Sequence, residues 1–168
     1  MYTYFHERFS LCSEFLAEPP TPLSGRVQTS GRAGIDVRWR VDRTGCVPDS
    51  GFPGYTRVIW NDHVTEMTDL HPPAREHLMN AVWLVETVMR KELVLLKVNL
   101  AQFGNQVPHL HWHVIPRWSL DTHFPDAVWA EPQQRSAEQQ LAWQNFTEQQ
   151  QRLLPTYHAA LRLALDAL

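Results

Sequence analysis

Three histidines in alternation carry the chemistry of this sequence, in the run Val107-Pro108-His109-Leu110-His111-Trp112-His113-Val114-Ile115-Pro116-Arg117. Along an extended strand, successive side chains point to opposite faces. His109, His111 and His113 are therefore expected on one face, with Leu110, Trp112 and Val114 on the core side. Three chemistries fit. A neutral imidazole can attack phosphorus and form a phosphoramidate while a neighbour protonates the leaving oxygen, because histidine titrates near neutrality. Residues two apart on a strand are about 6.5 Å apart, so the outer pair can flank a group carried by the middle one. Alternatively, the imidazoles bind zinc or another divalent ion. No carboxylate or Cys lies nearby in sequence, but His63, His71 or His123 could complete such a set. Lastly, they only line a wet sheet face, although histidine has no special strand propensity and Thr, Lys or Glu is the usual filling. Spacing alone leaves all three open.

The elements that must position this run are legible in part. Ile35 to Asp42 alternates apolar and polar residues, which predicts a one-sided strand. Tyr55 to Trp60 reads as the next strand, after a turn-rich crossing marked by Gly45, Pro48, Gly51, Pro53 and Gly54. Pro72-Pro73 can open a helix. Ala74, Leu78, Ala81, Val82, Val85, Val88 and Met89 recur at helical steps, and Arg90 and Lys91 suit the helix C-terminus. Leu93 to Leu100 is expected as a strand with Leu96, Val98 and Leu100 on one face and Lys97 and Asn99 on the other. Gln102-Phe103-Gly104-Asn105 then turns the chain into the histidine run. Strand, strand, helix, strand, strand with tight links predicts an α+β fold, an antiparallel sheet of about five strands with a packed helix.

The ends say less. Met1 to Ala17 is aromatic and weakly helical, Pro19-Pro20-Thr21-Pro22 stops any helix, and Leu23 to Gly34 reads as loop. After Arg117 the chain is irregular until Ser136-Ala137-Glu138-Gln139, which fits a capping box. A Gln-rich helix follows, expected to break at Pro155. Tyr157, Leu161, Ala164, Leu165 and Leu168 form an apolar stripe on a last helix. The expected organisation is an N-terminal extension over 1–34, one domain over 35–130 and a C-terminal helical extension over 131–168.

A chain of 168 residues can bury a sizeable core. Its net charge of -3 argues against a nucleic-acid partner. No apolar run approaches membrane-spanning length, so a cytoplasmic protein without membrane association is the expectation. Cys12 and Cys46 make no disulfide framework or Cys-based zinc site.

His109-Leu110-His111-Trp112-His113-Val114-Ile115 resembles the signature of the histidine triad (HIT) superfamily, His-φ-His-φ-His-φ-φ, with every position filled. The resemblance runs upstream through Pro53-Gly54-Tyr55-Thr56-Arg57-Val58-Ile59, His63-Val64 and Thr68-Asp69-Leu70. Asn99, Gly104, Val107 and His109 match the family's approach to the triad. Pro116-Arg117 matches what often follows it, and Phe124-Pro125-Asp126-Ala127-Val128-Trp129 is similar to a C-terminal Trp/Pro element of the bacterial branch.

The resemblance implies a HIT-like fold and a hydrolase acting at the α-phosphate of a purine nucleotide conjugate: a dinucleoside polyphosphate, a phosphoramidate or an adenylylated compound. By position, His111 is implied as the nucleophile that becomes nucleotidylated, assisted by His109 and His113. Asn99, Gly104, Asn105, Gln106 and Val107 are implied in holding the phosphate, with Tyr55, His63 and Arg117 in support. No cofactor or active-site metal is implied. A homodimer is, through joined sheets and the helix at Ala74 to Arg90. A nucleotide-binding module with little turnover and a metal-dependent hydrolase are the alternatives. The sequence departs from the family at Tyr55, where a relay histidine is frequent, at Asn105, where Gln is usual, and at Trp60-Asn61, where Pro-Lys is usual. Cys12-Ser13-Glu14-Phe15 replaces a frequent Cys-x-x-Cys, so no structural zinc is expected.

Overall fold

The structure, a computed structural model, describes residues 25–28, 35–39, 51–106 and 108–168. The readings made on Met1 to Ala17, Pro19 to Pro22, Cys12, Cys46, the Gly45–Pro48 turn, the end of the Ile35–Asp42 strand and Val107 fall outside these residues.

Five strands, β1 (Gly25–Gln28), β2 (Ile35–Trp39), β3 (Thr56–Trp60), β4 (Lys97–Gln102) and β5 (His111–Arg117), form one sheet in the order β1-β2-β3-β5-β4. Every neighbouring pair is antiparallel. The fold is α+β with the histidine strand inside the sheet, and β1 and β4 are its edges. Gly25–Gln28 corrects the loop reading of Leu23 to Gly34. A four-residue run of Gly, Arg, Val and Gln, with Val27 its one good strand former, carries little strand signal alone, and its ladder with β2 supplies what propensity does not.

Helix α1 (Pro72–Glu92) begins where the proline pair requires it, with His71 at the N-cap accepting through Nδ1 from the Ala74 N–H at 3.3 Å. Its buried residues are Ala74, Leu78, Ala81, Val82, Val85, Val88 and Met89, the stripe expected from spacing. That stripe packs with Val58 and Trp60 of β3, Val98 of β4 and Val114 of β5.

Helix α2 (Ala137–Asp166) starts at a complete capping box of Ser136 and Gln139. It runs unbroken through Pro155, correcting the expected break. A proline inside a helix costs about 3 kcal/mol. Leu154, Tyr157, Leu161 and Leu165 are buried in the core shared with α1, and each large aliphatic side chain so buried contributes roughly 1.5–3 kcal/mol, enough to hold the helix across the defect.

Strand β4 is also displaced from expectation. Leu93 is the α1 C-cap, and the ladder starts only at Lys97. Val98 is buried, but Leu96 and Leu100 are 61% and 37% exposed. Their alternation is real; on the shared face Val98 is covered by the core, while Leu96 and Leu100 are left uncovered at the sheet edge.

Candidate active site

Strand β5 starts at His111, so the histidine run does not lie on one strand. His109 precedes the ladder, at a bend where the Leu110 N–H donates to Val64 O (2.7 Å) and Leu110 O accepts from the Trp60 N–H (3.0 Å). His111 and His113 do share a face, with ring centroids 4.7 Å apart. Ile59 pairs with His111, while Arg57 and Ala101 pair with His113. Directly opposed residues point to the same side, so Arg57 joins the histidines and Ala101 leaves room beside them. The opposite face, with Leu110 and Val114 fully buried, meets the helices as expected.

Hydrogen bonds assign the imidazole protons. His111 Nδ1 lies 2.6 Å from the His109 carbonyl oxygen. A carbonyl only accepts, so Nδ1 carries the proton and Nε2 the lone pair. His109 Nε2 likewise donates to Trp60 O at 2.5 Å. His113 Nδ1 is contacted by the Tyr55 hydroxyl at 2.6 Å and by Arg57 Nε at 3.4 Å. Burial lowers the pKa of His111, and the charges of Arg57 and His109 lower it further, against the His109 carbonyl bond that raises it. Burial pushes His113 down to about 2, aided by Arg57 and His111. Both rings are therefore neutral around neutrality, as a nitrogen nucleophile must be.

Asn99 stands on the same side, opposite Ile115. Its Oδ1 accepts from Arg117 Nη1 at 2.7 Å, which leaves the Nδ2 donors as its remaining polar face. Arg117 is only 2% exposed. It donates through Nε and Nη2 to both Asp121 carboxylate oxygens, at 2.8 and 3.0 Å, and through Nη2 to Asp126 O at 2.7 Å. Asp121 also accepts from the backbone N–H groups of Trp118, His123 and Phe124. Burial raises the Asp121 carboxyl, but these bonds outweigh it and hold the group below its ordinary pKa. Arg117 is thus a buried brace behind Asn99.

Gly104 is half-buried and Asn105 and Gln106 are exposed in the connection from β4 to His109. The His63 ring lies 5.8 Å from that of His109. Phe103 packs on His113 with centroids 5.6 Å apart and meets Trp129 edge-on at 4.8 Å, so the irregular segment after β5 closes one side of the site. Sequence reasoning missed Arg57 and Asp121. The only sequence signal for Asp121 is its i,i+4 spacing from Arg117; Arg57 reads as an ordinary polar position until the β3–β5 register is known. Among the described residues, no group of three or more His, Cys, Asp or Glu side chains is placed to hold a metal ion.

The site thus pairs neutral imidazoles on a central antiparallel strand with a braced amide donor and an arginine. The same arrangement of sheet and helices occurs in a histidine triad protein from Bradyrhizobium japonicum, at TM-score 0.51 and 24% identity over 87% of each chain. It recurs in a histidine triad protein from Marinobacter aquaeolei VT8, at TM-score 0.51 and 22% identity over 76% of this chain and 89% of that one. In sequence, residues 48–120 match the HIT domain family. A curated relative, the asymmetrical bis(5'-nucleosyl)-tetraphosphatase of Schizosaccharomyces pombe, is 32% identical over 85 residues. That alignment covers 48% of this chain, and the chain spans about half the length of that relative, 47%. Over residues 48–120 the chain is thus similar to HIT domain proteins, and its fold is theirs.

Proposed function

We infer that this protein is a nucleotide hydrolase that works through a nucleotidyl-His111 intermediate. The observation that carries the reading is the 2.6 Å bond from His111 Nδ1–H to the His109 carbonyl. It aims an unprotonated Nε2 away from the backbone, the form that attacks phosphorus. Nε2 forms a bond to the α-phosphorus as the bond from phosphorus to the leaving group breaks. The imidazolium so formed keeps its Nδ1 proton on the carbonyl. Water then displaces Nε2, releasing a nucleoside monophosphate and a proton. Asn99 Nδ2 and the N–H groups of the Gly104–Val107 connection stabilise charge on the phosphoryl oxygens, and His109 and His63 line the nucleotide side. The name of the S. pombe relative supports a dinucleoside polyphosphate or a related purine nucleotide conjugate as substrate. We further read the chain as a homodimer. Among the described residues β4 is a sheet edge, with Leu96 and Leu100 exposed beside it, which a second copy pairing edge to edge would cover.

The test is trapping with an adenosine-linked substrate. Denaturation during turnover should give a peptide containing His111 with one added nucleotidyl mass, and His111→Ala should abolish turnover. Full activity in that variant rejects the mechanism. Tight nucleotide binding with no turnover across diadenosine polyphosphates, adenosine phosphoramidate and aminoacyl-adenylates rejects the hydrolase in favour of a binding module.

A further inference from the structure

His113 is the most constrained group of the site. Its Nδ1 faces two donors at once, the Tyr55 hydroxyl at 2.6 Å and Arg57 Nε at 3.4 Å. A hydroxyl can donate or accept, but a guanidinium N–H only donates. Arg57 therefore excludes a proton on Nδ1, and Tyr55 is left to donate as well. The proton of the neutral ring sits on Nε2, which is buried and has no hydrogen-bond partner among the described residues. The ring is 1% exposed and clamped between Tyr55, edge-on at 5.8 Å, and Phe103 at 5.6 Å. The groups that face it are Tyr55 and Arg57 from the β3 side, His111 on its own strand, and the uncharged Ala101 and Phe103 from the β4 side. A second proton on this ring would have to enter at Nδ1, against a guanidinium and a hydroxyl already donating there.

We propose that Tyr55 and Arg57 lock His113 as a neutral Nε2–H tautomer that does not pass through an imidazolium, so that the site selects nucleotides joined through P–O–P over those joined through P–N. The inference rests on the hydrolase reading above. With its Nε2 buried, His113 does not hand a proton to the leaving group, a transfer that would also leave an imidazolate. When Nε2 of His111 attacks a P–O–P substrate, the leaving nucleotide departs with the electron pair as a phosphate anion and needs no proton. A P–N substrate would expel an amide anion unless a proton reached the nitrogen, and His113 has none to spare. Tyr55 and Arg57 act through His113, which makes them positioning residues.

Two measurements on the full chain decide it. In 15N NMR of labelled histidine, His113 should show an unprotonated Nδ1 and a protonated Nε2 that do not titrate between about pH 6 and 8. The variant Tyr55→Phe/Arg57→Met should release the ring into mixed tautomers. A protonated Nδ1, or an imidazolium forming in that range, overturns the lock. In kinetics, kcat/KM for a diadenosine polyphosphate should exceed that for adenosine phosphoramidate at least about tenfold, and Tyr55→Phe should cut kcat about tenfold with KM within about twofold. Equal or reversed preference overturns the selectivity while leaving the hydrolase intact. No turnover of either compound removes the hydrolase reading and the selectivity with it, and the NMR result still judges the lock by itself.

Discussion

The His111 ring draws its use from a single acceptor. With Nδ1 held by the His109 carbonyl, the neutral ring presents its lone pair outward through Nε2, and burial keeps that neutral form in place below the ordinary pKa of 6.5. Activity should then be flat from neutrality down through pH 6.5 and decline only in more acid solution, seen as kcat/KM against pH; an acid limb centred above 6.5 contradicts the assignment. Asn99 offers a sharper test, because Arg117 fixes which of its atoms faces away from the brace. Asn99→Asp keeps an acceptor for Arg117 and gains an ion pair, so thermal stability should hold. It also replaces the amide donor with a negative charge beside the phosphate, and kcat/KM should fall about 100-fold or more. A variant that keeps its activity would show that Asn99 does not contact the substrate. At this scale the sequence showed residue types but not partners. His111, His113 and Asn99 are legible from alternation and resemblance. The roles of Arg57 and Tyr55 depend on which residue of β3 lies opposite His113, and that register joins residues more than fifty positions apart.

Among the elements, β3 is held firmly at its start. Gly54, just before Tyr55, has φ +86, and a Cβ there would come within 2.5 Å of Leu93 Cδ1. The turn therefore requires glycine. Thr56 follows, its hydroxyl bonded to Gly54 O at 2.8 Å and to the Tyr157 hydroxyl of α2 at 2.7 Å. Through that pair the C-terminal helix is tied to the strand that carries Arg57. Gly54→Ala should cost on the order of 1–3 kcal/mol and lower activity together with stability, read from urea unfolding and kcat; an unchanged midpoint would mean that the turn relaxes freely. Pro155 makes the converse case. It is exposed, within a helix whose buried face runs Leu154, Tyr157, Leu161, Leu165. Pro155→Ala should restore a backbone hydrogen bond and raise stability by up to about 3 kcal/mol; a lower Tm would show that the proline shapes the packing. Local rules placed the start of α2 and the buried Tyr157, Leu161 and Leu165 correctly, counted in the stripe a Leu168 that is exposed past the helix end, and misjudged the helix's continuity. A propensity is a local cost, whereas burial against α1 is a gain that appears only in the assembled core.

For the whole molecule, acid stability follows from the histidines. His113 has a folded pKa of about 2, and burial, with Arg162 nearby, lowers His158 to about 4. The ordinary value, kept in the unfolded chain, is 6.5. A depressed folded pKa means that the unfolded chain binds protons first as pH falls. The stabilisation is thus present above pH 6.5 and is lost progressively below it, at roughly 1.4 kcal/mol per pH unit for a fully buried group and less for the partly buried His158. The Tm should fall steadily from pH 6.5 to about pH 5, and a Tm independent of pH across that window would contradict the neutral burial of these rings. The edge at β4 is tested by light scattering. The wild type should run at twice the chain mass, and Leu96→Lys/Leu100→Lys should run at the monomer mass. A monomeric wild type ends the edge-pairing idea.

The sequence by itself determined the α+β class, the helix α1 with its buried stripe, both helix starts and the residue types of the triad, because these follow from local periodicity, capping chemistry and motif spacing. Only the tertiary structure decided that His109 stands before the strand, that β4 leaves Leu96 and Leu100 uncovered, that α2 runs through Pro155, and that Tyr55 and Arg57 converge on one nitrogen of His113. Each of these depends on contacts between distant segments, through sheet register, edge position and burial, and a single stretch of sequence carries no record of its opposite partner.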